Sequence, residues 1–149
     1  MDYFLQLSQN DILQTAVISW LAAQILKVII VFIIDKRLDF TRLTGSGGMP
    51  SSHSSFTVSL AAATGFACGF DSVAFAVAAA FSIVVMYDAS GVRRSAGQQA
   101  AILNRIVERV GKDDISETGK KLKELLGHTP MEVFAGAILG LIIAIIRYV

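Results

Sequence analysis

His53 and His128 are the two histidines of a 149-residue chain, and each stands where an apolar run begins. His53 ends the segment Gly47-Gly48-Met49-Pro50-Ser51-Ser52-His53, and His128 opens His128-Thr129-Pro130-Met131-Glu132. A neutral imidazole is a nucleophile near pH 7 and a protonated one is a general acid, so such a pair can divide attack and proton donation between them. A helix start adds unpaired backbone N–H groups and a partial positive charge, which together attract an anion. Ordinary capping accounts for Ser51 or Ser52 as an N-cap, and Thr129-Pro130-Met131-Glu132 reads as a capping box with proline at N1. Capping does not account for both histidines standing at equivalent helix starts.

The cations fit the same chemistry. Lys27 lies inside an apolar run, seven residues before its end at Ile34, where an ammonium is costly and faces a bundle interior or snorkels to the interface. Arg93 and Arg94, in Tyr87-Asp88-Ala89-Ser90-Gly91-Val92-Arg93-Arg94, follow another apolar run and suit either membrane flanking or an anion. A guanidinium holds phosphate oxygens through forked hydrogen bonds, and a lysine adds a point charge. Two helix starts, two histidines, a membrane lysine and an arginine pair on one face describe a phosphate site.

The elements that must carry these residues are apolar helices. Hydrophobic residues make up 54% of the chain and charged residues 17%, against roughly 45–50% and 25% in soluble domains. A net charge of +1 gives no reason to expect nucleic acid. Cys68, the single cysteine, can form no internal disulfide and reads as a small core residue. Residues 12–34 are mostly apolar and carry no charge apart from Lys27, long enough for a spanning helix at about 20 residues per hydrocarbon core. The run from Phe56 to Met86 divides at Gly69-Phe70-Asp71-Ser72, a turn signal. The spans expected are therefore about 12–34, 53–69, 72–88 and 130–148, in one membrane domain with a polar segment 89–127. The first ten residues carry no Lys or Arg, so the first span is expected to stay in the mature protein.

The 36–52 loop carries Lys36, Arg37 and Arg42, and segment 88–127 carries eight more basic residues, leaving only Lys27 and Arg147 of the 13 elsewhere. The positive-inside rule assigns that face to the cytoplasm, with both termini outside. Ala96, Ala100, Leu103, Ile106, Val107 and Val110 recur at helical spacing, so an amphipathic helix on the membrane surface or against the bundle is expected there. Gly65-xxx-Gly69 and Gly136-xxx-Gly140 permit close helix contact.

Pro50-Ser51-Ser52-His53 resembles the P-S-G-H motif of the type-2 phosphatidic acid phosphatase and vanadium haloperoxidase superfamily, and His128-x3-Glu132 resembles its H-x3-D motif. The whole chain, with GGMPSSHS, YDASGVRR and LGHTPMEVFAG, is similar to the divergent bacterial branch of that family. The resemblance implies that His128 attacks phosphorus, that Glu132, in place of the family Asp, orients its imidazole, and that His53 protonates the departing alkoxide. It further implies that Ser51 and the backbone near Ser52 bind phosphate oxygens, and that Lys27 is the family's lysine. Leu122 stands where the family has an arginine before the second histidine, so Arg93 or Arg94 takes that role.

The reading is an all-α integral membrane bundle of about four transmembrane helices with a cytoplasmic amphipathic helix. Its expected activity is metal-independent hydrolysis of a lipid phosphate monoester through a phosphohistidine, with no cofactor. The partners expected are membrane lipids and the lipid phosphate substrate, with no nucleic acid, and a homo-oligomer is left open. The rival is a non-catalytic membrane protein that binds a phosphate headgroup in a degenerate site. A small transporter or channel subunit rests only on Lys27 and the small-residue helices.

Overall fold

A computed structural model describes residues 2–36, 48–110, 122 and 127–149. Ser46 and Glu117, most of the 36–52 loop and much of the end of segment 89–127 lie outside them. All regular structure among the described residues is helical: α1 (Tyr3–Ser8), α2 (Asp11–Asp35), α3 (Ser52–Cys68), α4 (Val73–Ser90), α5 (Val92–Val110) and α6 (Pro130–Tyr148). The short α1, which the polar start of the chain does not announce, begins at Asp2, whose carboxylate accepts the Phe4 N–H. Asn10 caps α2 by accepting from the Leu13 N–H, Ser72 caps α4 through Phe75, and Thr129 caps α6 through Glu132. Each is a short polar side chain satisfying one of the donors a helix start leaves free.

Three helical segments, Asp11–Ile34, Val73–Val107 and Pro130–Tyr148, are long and apolar enough to cross a membrane. The fourth expected span differs. α3 has 17 residues, about 25 Å of helix, and it occupies the middle of the bundle, packed on α2, α4 and α6. Its buried face is polar: Ser52, Ser54, Ser55, Thr57, Ser59 and Thr64 are all inside. This is affordable because the hydroxyls find partners. Ser55 and Ser19 of α2 exchange hydrogen bonds, with the two Oγ atoms 2.6 Å apart, and Ser82 of α4 donates to Thr57 at 3.2 Å.

Small residues set how closely the helices approach. A Cβ on Gly136 would collide with the Ser51 carbonyl oxygen, and one on Gly140 with that of Ser55, so the glycine pair of α6 lies directly on the α3 backbone. Gly65 serves a different purpose, making room for the Phe70 ring rather than for another helix. Large apolar side chains point outward instead: Ile29, Ile33, Val77, Val84, Phe134 and Ile146 are exposed, as a lipid-facing surface requires. At one end of the bundle Arg147 of α6 donates to Gln14 of α2 at 3.3 Å. The other end, where α3 and α6 start and α4 finishes, holds both histidines.

Candidate functional site

Three chain segments meet at the histidine end because backbone groups tie them together. The Ser51 N–H donates to the Glu132 carbonyl at 2.9 Å, joining the start of α3 to the first turn of α6. The His128 N–H donates to the Ala89 carbonyl at 2.8 Å, joining the start of α6 to the last turn of α4. Gly127 completes the arrangement. Its φ of +86° favours glycine, and a Cβ there would meet the Arg93 carbonyl carbon at 2.8 Å. Neither the Ala89 carbonyl nor Gly127 is visible as a site component in the sequence, since both act through contacts distant along the chain.

The result is convergence of the two histidines. Their ring centroids lie 6.1 Å apart with the planes inclined by 53°, inside the separation that one phosphate between them requires. A cleft of about 280 Å³, counted with its open mouth, is lined by His53, Val85, Asp88, Ala89, Arg93, Gly127 and His128. His53 keeps an exposed side chain at this cleft, whereas His128 is buried. Among the described residues no group of His, Cys, Asp and Glu side chains is arranged to hold a metal ion.

Glu132 has two tasks. Its Oε2 accepts the Thr129 N–H at 2.8 Å, completing the capping box, and the same oxygen stands 3.5 Å from His128 Nδ1. That separation is an electrostatic contact rather than a formed hydrogen bond, and Nδ1 is buried with no hydrogen-bond partner. Burial, then the Lys27 ammonium, pushes the His128 imidazole below the ordinary histidine value, while Glu132 acts in the opposite sense. The balance holds His128 neutral near pH 7, as a nucleophile must be.

The remaining residues sort themselves. Lys27 does not snorkel: it is 2% exposed, and its Nζ donates to Ser52 Oγ at 3.3 Å, so Ser52 and Lys27 stand together at the start of α3. Ser51 is fully buried and caps α3, its Oγ accepting from the Ser54 N–H and hydroxyl. Its hydroxyl is thus engaged in the cap, and the capping account holds for it. The arginine pair divides. Arg93 lines the cleft and pairs with Asp88; Arg94 is exposed and does not line it, because consecutive helix positions point about 100° apart. Leu122 does not line the cleft and exchanges hydrogen bonds with Asn104 of α5.

A family model described as the Divergent PAP2 family matches residues 8–143. The chain is similar to the uncharacterized membrane protein YuiD of Bacillus subtilis (strain 168), with 40% identity over 152 residues that cover 95% of this chain and 96% of that protein. No solved structure matches it.

Proposed function

The chain belongs to the divergent PAP2 family, and from that premise we propose that it is a membrane-embedded phosphatase that hydrolyses a lipid phosphate monoester through a phosphohistidine. The observation that carries the reading is the 6.1 Å approach of the two histidine rings in a cleft that also holds Arg93. Nε2 of neutral His128 attacks phosphorus and forms the P–N bond while the ester P–O bond breaks, and protonated His53 gives its proton to the leaving alkoxide. Water then attacks the phosphohistidine, now-neutral His53 takes the water proton, and inorganic phosphate leaves with His128 restored. The carboxylate of Glu132 beside Nδ1 favours the tautomer that leaves the Nε2 lone pair free.

Charge on the phosphoryl oxygens is met by Arg93 and by the first N–H groups of α3, with Lys27 and Ser52 behind them; protein dipoles and cations of this kind stabilise developing charge without a metal. Arg94 and the Ser51 hydroxyl have no part in this account. A lipid suits the setting, since its phosphate reaches the helix starts from the interface while its chain stays in the hydrocarbon. The positive-inside rule, applied to the basic loops, supports a cytoplasmic position for this end of the bundle.

The second reading is headgroup binding without turnover. It is favoured by the 3.5 Å gap between Nδ1 and Glu132 and by a leucine, Leu122, at the position of the family arginine. Phosphate release by purified protein from a panel of lipid phosphates, with and without chelator, separates the two. Turnover that survives chelation is the expected result; binding of the same lipids with no release supports the second reading.

A further inference from the structure

The cleft does not use most of α5, and the face this helix leaves uncovered has a definite chemistry. Among the described helices α5 packs mainly against α4, and the residues it buries are Gly97, Ala100 and Asn104. At about 100° per residue, Ile102, Leu103 and Ile106 fall in a different sector from those three, and Val107 lies at its border beside Ala100. Ile102, Leu103, Ile106 and Val107 are exposed by 57, 49, 50 and 45%. The amphipathic pattern therefore does not serve packing against the bundle, one of the two uses open to it from the sequence.

Charge and position say what covers the stripe. Arg94, Arg105 and Arg109 are exposed and occupy the sector flanking it on one side. The sequence of α5 holds four arginines against one glutamate, and Arg93 is already paired with Asp88. The helix also begins at Val92, two residues after α4 ends at Ser90. α4 is 18 residues long, about 27 Å, so the last turn of a spanning α4 delivers α5 to the membrane surface. An apolar stripe with an arginine flank at that depth matches an in-plane helix on anionic lipid, which buries its stripe at the acyl boundary while the guanidiniums reach headgroup phosphates.

We propose that α5 lies on an anionic lipid surface through Ile102, Leu103, Ile106 and Val107, with Arg94, Arg105 and Arg109 on the headgroups. Docked in this way, it holds Arg93 and the mouth of the cleft at headgroup depth. The proposal concerns where α5 sits and stands whether or not the histidines turn over substrate.

The test uses the full chain with Cys68 replaced by alanine, reconstituted into nanodiscs of neutral phosphatidylcholine or of the same lipid with phosphatidylglycerol. Leu103→Cys, Ile106→Cys and Gln98→Cys are labelled singly with an environment-sensitive fluorophore. In anionic discs the labels at 103 and 106 are expected to shift to the blue and to be quenched by shallow nitroxide lipids, while the label at 98 stays in water. Raising salt, or the double substitution Arg105→Glu and Arg109→Glu, is expected to reverse the effect at 103 and 106. Labels at all three sites in water would overturn the proposal. So would quenching equal in neutral and anionic discs, or an Ile106→Cys disulfide dimer with no quenching, which would assign the stripe to a second copy. Unchanged elution of each variant on size exclusion in detergent shows that the fold has survived labelling.

Discussion

At the scale of single residues, the account assigns different work to side chains that look equivalent in sequence. His128→Ala should abolish phosphate release, whereas His53→Ala should slow formation of the phosphoenzyme chiefly for poor leaving groups, because good ones need little proton donation; comparing the first-turnover release of alcohol from an alkyl phosphate with that of nitrophenol from a nitrophenyl phosphate checks this. Arg93→Ala should lower kcat by about 10²–10³, the range for loss of one charge-stabilising contact, while Arg94→Ala should leave kcat close to that of the parent. The pH profile carries a sign. Because His128 titrates below its usual value, the acid limb of kcat/KM should fall below pH 6.5. Removing the Lys27 charge with Lys27→Gln should move that limb to higher pH, and Glu132→Gln should move it to lower pH, whatever either does to the maximal rate. The stability linkage runs the same way: an unfolded chain binds this proton more readily, so stability contributed by buried neutral His128 falls as pH drops through 6.5. The histidines and Lys27 were legible as a group from residue type and helix position, and Glu132 joined them only through the family resemblance. Which arginine belongs to them was not, because Arg93 and Arg94 differ only in the direction they leave α5. Ser51 was ambiguous for a related reason, since capping and phosphate binding ask for the same hydroxyl.

Among the elements, α3 departs most from what its hydropathy suggests. Read as one of two apolar helices in the run from Phe56 to Met86, it is a short helix whose serines are spent inside the bundle, and only the neighbours that bury it show why. The glycines of α6 belong to the same contact. Gly136→Ala and Gly140→Ala should each lower the melting temperature in detergent, at a cost of roughly 1–3 kcal/mol for overpacking against backbone, and Gly136→Ala should in addition reduce activity because it presses on Ser51 at the start of α3. Gly127→Ala combines a left-handed backbone with a clash on Arg93, so it should impair the site with less effect on the bundle; comparing activity with thermal stability for the two substitutions checks this. The Thr129 capping box follows local chemistry and was readable as such, whereas α1 is too short to leave a periodic pattern.

For the whole molecule, the positive-inside rule predicts an orientation from where the basic residues fall. With Cys68 replaced, single cysteines at Ser46 and Glu117 should be protected from an impermeant thiol reagent in intact cells, and one at Asp71 should be labelled; opposite labelling of Ser46 and Glu117 would refute an even number of crossings between them. The helical membrane character was plain from composition, and the convergence of the two histidines was anticipated from their position at the starts of helices entering from one face. Its means, the hydrogen bonds of Ser51 to Glu132 and of His128 to Ala89, join residues too far apart in sequence to be read there. The central claim is that His128 becomes phosphorylated with His53 in attendance, and His53→Ala offers the most direct view of it. With an aryl phosphate, whose leaving group needs no acid, this variant should still be phosphorylated but should lack the base that activates water for the second step. Mass spectrometry at neutral pH should then find phosphate accumulating on His128, lost on acid treatment and absent when His128→Ala is added. Turnover of the aryl phosphate by His53→Ala with no phosphate on His128, or with an acid-stable phosphate on another residue, would contradict the account.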